Sequence, residues 1–100
     1  MIAMISIALV QETVGAHYAL SKSDLLSARK LKRLARPRQV AMYLARRVTR
    51  KSLTQIGRAF HRDHTNVIYA IRKIEKLAYT DCKLATDITA LTWVLAGKQT

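Results

Sequence analysis

Apolar residues recur every three to four positions along nearly the whole chain, and nowhere does an apolar–polar alternation persist. That period lines up side chains on one stripe of a helix and does not suit a half-buried strand. The expected fold class is therefore all-α, a small helical bundle. One hundred residues, half of them apolar, suffice for one modest core, so residues 1–100 are read as a single domain. One Pro and three Gly leave little that reads as linker.

The stripe can be followed helix by helix. Ile7, Val10, Val14 and Tyr18 predict a first helix over 3–19. Its apolar start lacks a positively charged leader and is too short to cross a bilayer, so it reads as core. Ser21 to Leu26 reads as a cap with one helical turn, and Ser27 to Leu34 as a basic connector. Pro37 is expected in the first turn of the next helix, with Val40, Tyr43, Leu44 and Val48 on one side, ending near 49–51. Ser52 and Gln55 fit a capping box opening a short helix with Leu53, Ile56 and Phe60. After a break at His61 and Arg62, Asp63 is placed to cap a helix with Val67, Ala70, Ile71, Ile74 and Leu77 inward. Thr80 and Asp81 precede a last helix with Leu84, Ile88, Leu91 and Leu95 inward, stopped at Gly97.

Charge narrows the partner. Eighteen Lys and Arg face six Asp and Glu, a net +12. Fifteen of those cations lie between Arg29 and Lys76, where the acids are only Asp63 and Glu75. One part of the fold thus faces a polyanion, nucleic acid or an anionic membrane surface, and the rest is scaffold. The basic run is interrupted by core positions, unlike a free membrane-surface helix, and no RNA-module signature is present. Double-stranded DNA is the expected partner. The single Cys82 rules out an internal disulfide and suits a reducing cytoplasm. No nucleophile–base set or paired carboxylates converge, so no enzyme and no cofactor are expected. His61, His64 and Cys82 are too few for a metal site, which needs three or four converging ligands.

The helices expected at 52–60 and 63–78 form a helix-turn-helix pattern. Gly57 lies inside the first, where it costs stability relative to Ala, and a close approach of the second helix would explain it. In this motif the N-terminal residues of the second helix reach base edges. Here they are Asp63, His64, Thr65 and Asn66, short hydrogen-bonding groups suited to the major groove. Asp63 can equally be an N-cap and nothing more. Lys32, Arg33, Arg38, Arg46, Arg62, Arg72 and Lys73 are assigned to phosphates. Tyr43 and Tyr69 read as packing residues rather than stacking platforms, His17 as half-buried, and Trp93 as core or a small exposed patch. The apolar first and last helices read as core or as a partner surface.

The stretch Ser52-Leu-Thr-Gln-Ile-Gly-Arg-Ala-Phe-His-Arg-Asp-His-Thr-Asn-Val-Ile-Tyr-Ala-Ile-Arg-Lys-Ile74 resembles the signature of the C-terminal DNA-binding domain of the bacterial replication initiator DnaA. So do Ala35-Arg-Pro-Arg-Gln-Val-Ala-Met-Tyr-Leu-Ala-Arg46, Val10-Gln-Glu-Thr-Val14 and Asp24-Leu-Leu-Ser27, and the likeness spans about residues 8 to 96. It implies a bundle of mostly short helices that recognises short asymmetric duplex sites. It implies Asp63, His64 and Thr65 as major-groove readers and Arg46 as a phosphate contact. It also implies a basic loop whose minor-groove residue aligns with Lys30, beside Arg29. Three positions depart from the pattern: Asn66 stands for a Thr, Lys30 for an Arg, and His61 alone for a residue pair, often Gly-Gly. The initiator's ATPase has no counterpart, since no phosphate-binding loop is present.

Three roles follow as expectations. The first is a transcriptional regulator of phage, prophage or gene-transfer-agent type, acting with a second regulatory protein or with the transcription machinery. The second is a replication-control factor on initiator-type sites, or an excised initiator domain; the Met1 start favours a stand-alone gene. The third is a basic adaptor working through protein contacts. A monomer on an asymmetric site in the bacterial nucleoid fits the first two.

Overall fold

The computed structural model describes residues 5–27 and 32–98, and among these residues there are six helices and no strand. They are α1 (Ile7–His17), α2 (Lys22–Leu26), α3 (Lys32–Thr49), α4 (Leu53–Ala59), α5 (His64–Leu77) and α6 (Cys82–Gly97). The all-α expectation holds, and so do most of the caps. Ser21 and Asp24 close a reciprocal capping box on α2, and Ser52 and Gln55 close one on α4. Asp63 caps α5 and Asp81 caps α6. Each cap satisfies backbone N–H groups that the helix itself leaves unpaired.

α3 departs from the expected boundaries. It begins at Lys32, ahead of Pro37, which sits buried inside the helix. There it removes one intrahelical bond, the one that an N–H at this position would make to the Arg33 carbonyl. The earlier start carries Leu34 into a fully buried position. The expected connector from Ser27 therefore ends before residue 34, with 28–31 outside the described residues. Along α3 every residue from Val40 to Ala45 is buried, so the middle of the helix is wrapped on all sides rather than on one stripe. Val10 and Val14 of α1, Ile56 of α4, the adjacent Phe60, Val67, Ala70 and Ile74 of α5, and Leu84, Leu91 and Leu95 of α6 form one core with it. Burying a side chain such as Ile56 or Phe60 contributes roughly 1.5–3 kcal/mol.

Two of the connections are the same turn. Ala19 after α1 and His61 after α4 both sit in the left-handed region at φ 57°. In each case the next N–H reaches back five residues, Leu20 to the Gly15 carbonyl and Arg62 to the Gly57 carbonyl, both at 2.8 Å. This closure satisfies the last helical carbonyls. It also presses the returning chain onto the glycine. A Cβ on Gly15 would lie 2.7 Å from the Leu20 oxygen, and one on Gly57 2.6 Å from the Arg62 oxygen. The close approach expected at Gly57 is present, and the turn makes it more directly than the body of α5.

α6 is tied to the end of α1 through Asp87, a buried carboxylate. His17 Nε2 donates to it at 3.1 Å, the Tyr18 hydroxyl donates at 3.2 Å, and Lys83 stands 3.7 Å away. Burial raises the Asp87 pKa, but the bonds from His17 and Tyr18 and the Lys83 charge outweigh it, leaving the carboxyl below its ordinary value. Burial, with Asp87 beside it, pushes the Tyr18 phenol well up. Trp93, 75% exposed, and Val94 lie on the outer side of α6, so Trp93 belongs to an exposed patch and not to the core.

Two outcomes are expected in thermal melts. Gly57→Ala should destabilise by roughly 1–3 kcal/mol, since the turn must shift to admit the methyl group, although Ala is the better helix former. Asp87→Asn should lower the melting temperature at neutral pH. A carboxyl with a depressed folded pKa stabilises above its unfolded value of about 3.9 and loses that contribution as pH falls through the folded value. The gap between parent and variant should therefore close in acid, and a gap independent of pH would contradict the assignment.

Candidate nucleic-acid interface

The turn at Gly57 fixes how α5 leaves α4, and α5 presents its first residues to solvent. Asp63, His64, Thr65 and Asn66 are all exposed. They are not loose. An Asp63 carboxylate oxygen accepts the Thr65 N–H at 3.1 Å, and His64 Nδ1 lies 2.9 Å from the same oxygen. The backbone bond from Thr65 is the main cause holding the Asp63 carboxyl below its ordinary range, with His64 adding to it. Asp63 is thus a cap and also orients the neighbouring imidazole. The face continues at helical spacing through Tyr69 and Lys73, where Lys73 Nζ lies 3.3 Å from the Tyr69 hydroxyl and 5.6 Å from its ring centre.

Tyr69 departs from the expected packing role. It is 58% exposed, four residues beyond Thr65 on the same side of α5, and the i, i+4 spacing of Thr65, Tyr69 and Lys73 carried that signal. Tyr43, by contrast, is buried as expected. A cleft of about 190 Å³ between the N-terminal halves of α3 and α5 brings Asn66 and Tyr69 together with Gln39, Arg38 and Arg62. Gln39 is an amide the sequence reading missed. Its place inside the stretch from Ala35 to Arg46 that carries the resemblance was the available hint.

The cations assigned to phosphates divide into two groups. Lys32 and Arg33 stand exposed in the first turn of α3, and Arg72 is exposed on α5. Arg46 is exposed and donates one bond to the Lys51 carbonyl at 2.8 Å, which anchors the arginine at the α3–α4 junction. Lys73 is half-buried against Tyr69. Arg38 does not fit its assignment. It is 8% exposed and donates to the carbonyls of Leu25 at 2.8 Å, Ser27 at 2.9 Å and Asp24 at 3.4 Å. Its guanidinium caps the C-terminal end of α2, where unpaired carbonyls favour a cation. Arg62 is partly committed to the same place, donating to the Ser27 carbonyl at 2.8 Å. Burial, then the Arg62 charge, lowers the Arg38 pKa. Arg29 and Lys30, expected in a minor-groove loop, lie outside the described residues.

Among the described residues no three His, Cys, Asp or Glu side chains converge on a metal position. No helix among them is long and apolar enough to cross a membrane.

Residues 7–74, from the start of α1 into α5, match the family described as the bacterial dnaA protein helix-turn-helix. The chain belongs to that family. Among its relatives, the chromosomal replication initiator protein DnaA of Anaplasma marginale is 49% identical over 89 residues, covering 88% of this chain and 19% of the relative. That of Brucella abortus is 52% identical over 83 residues, covering 82% and 17%. A crystal structure of a DNA replication initiation factor superposes with a TM-score of 0.82 at 36% identity, covering 92% of this chain and 28% of that one. The chain thus spans about a fifth of the curated initiators it matches and under a third of the solved one. The DnaA-type helix-turn-helix fold expected from the motifs is the fold found.

The position of Arg38 separates structure from binding. Arg38→Leu should destabilise the fold by about 2–3 kcal/mol, because it strands carbonyls that a charged donor now satisfies. Chemical denaturation measures this. An unchanged unfolding midpoint would mean that the α2 cap is dispensable.

Proposed function

We propose that this chain is a sequence-specific reader of double-stranded DNA. The first turn of α5 enters the major groove, and Asp63, His64, Thr65 and Asn66 face base edges. The observation that carries the reading is the α5 N-terminus itself: four exposed polar residues, one orienting the next, on a helix set by a glycine-gated turn. A helix start also carries positive partial charge, which favours the approach to phosphates on either side. Lys32, Arg33, Arg46 and Arg72 supply sequence-independent affinity. Arg29 and Lys30 are assigned to the adjacent minor groove. The imidazole of His64, held by Asp63, presents its other nitrogen to acceptors or donors on a base. The chain acts by binding, without catalysis or a cofactor, as a monomer on an asymmetric site.

In the cell we assign this reader to transcription, as a regulator of phage or gene-transfer-agent type that positions other proteins at a promoter in the bacterial nucleoid. Replication control is the second reading, and the names of the relatives favour it, since both are chromosomal replication initiator proteins. An occupancy map across the genome separates them: peaks at promoters support the first, peaks at the origin the second.

Binding assays test the reading itself. His64→Ala should cost ~1–3 kcal/mol on the cognate duplex and little on random duplex. Arg46→Ala should weaken both alike and lower the salt slope by about one unit. Equal loss on cognate and random duplex for His64→Ala would remove His64 from the bases.

A further inference from the structure

The other end of α5 carries a separate set of groups. Between the C-terminal halves of α3 and α5 lies a cleft of about 710 Å³ walled by Tyr43, Arg47, Arg72, Glu75, Lys76 and Tyr79. Tyr43 is buried in its floor. Its hydroxyl accepts from Arg47 Nη1 at 2.7 Å, and the guanidinium stands 5.5 Å from the ring centre. Arg47 is therefore held in place before anything binds. Tyr79, just past α5, is 91% exposed and forms an aromatic lip. Three cations meet one carboxylate here, and none of the three is ion-paired with another described residue.

We propose that this cleft docks an acidic segment of a partner protein, a stretch of carboxylates with at least one apolar side chain. Carboxylates suit Arg47 and Lys76, with Arg47 pre-set to meet one bidentately, and Arg72 at the DNA-facing edge is left to phosphate. An apolar side chain suits Tyr79, since exposed aromatics beside Arg are typical anchors of protein contacts. DNA backbone is the weaker fit. Lys76 lies about 16 Å along the helix from Thr65, at 1.5 Å per residue. The major groove is only about 8.5 Å deep. A helix that enters it by its first turn leaves its last turn outside. The cleft is also concave, and its exposed Tyr79 lip offers apolar surface that a phosphate chain does not use. Docking here would leave the base-reading turn free, so duplex and partner can be held together.

The probe is a fluorescein-labelled peptide rich in Glu and Asp with interspersed Phe, followed by anisotropy against the full chain. Its binding should fall at least about tenfold, a loss of ~1.4 kcal/mol, in the triple variant Arg47→Ala, Lys76→Ala, Tyr79→Ala. It should change less than about twofold in Lys22→Ala, Arg58→Ala, which removes as many charges elsewhere. A saturating unlabelled duplex should leave peptide binding in place. Equal losses in the two variants would mean attraction by net charge alone and would overturn the proposal. Displacement by duplex would reassign the cleft to phosphate contact, and a peptide with Gln in place of every acid binding equally well would overturn it too.

Discussion

The contact on which the molecule turns is the one between Gly57 and the chain that folds back over it. The Arg62 carbonyl approaches to where a β-carbon would stand, and the Arg62 N–H closes on the Gly57 carbonyl. That pair of contacts stops α4, sends His61 into the left-handed region and delivers Asp63 to the start of α5. The direction of the exposed turn that follows is a consequence. His61 occupies a backbone conformation that Gly adopts more cheaply, and the surrounding hydrogen bonds hold it there. Gly15 and Ala19 repeat the device between α1 and α2, so α2 and α5 are both launched by a helix that ends against its own glycine.

A second dependency is the use of arginine inside the scaffold. Arg38, with Arg62 at the edge, gathers the carbonyl end of α2 and fastens it to α3 and to the turn before α5. A chain with a large positive charge repels itself, and spending some of that charge on backbone carbonyls converts part of it into cohesion. The cations left exposed, Lys32, Arg33, Arg46 and Arg72 among them, are the ones available to a polyanion.

What the sequence disclosed follows from range. The caps at Ser21, Ser52, Asp63 and Asp81 are local patterns of a few residues, and all four were legible. The stripe on α5 was legible because one side of that helix faces solvent along its whole length. α3 was harder, since its middle, from Val40 to Ala45, is buried all round, and Pro37 drew its expected start too far along. Arg38 looked like a surface cation because its partners lie in another helix. The Asp87 cluster joins residues seventy positions apart, and no periodicity announces such a pair. The exposed start of α5 was legible through its position after a capping Asp. The exposure of Tyr69 was written in its spacing from Thr65 and Lys73, whereas the approach of Gln39 to Asn66 depends on how α3 and α5 pack.

On the proposed function, the first turn of α5 distinguishes one duplex sequence from another. Selection from a random duplex pool, followed by sequencing of the bound fraction, tests it most directly. One short asymmetric motif should be enriched, related to the sites bound by DnaA-type domains and lost with Asp63→Ala, His64→Ala. A bound fraction no different in sequence from the starting pool, or one whose motif survives that double substitution, would contradict it.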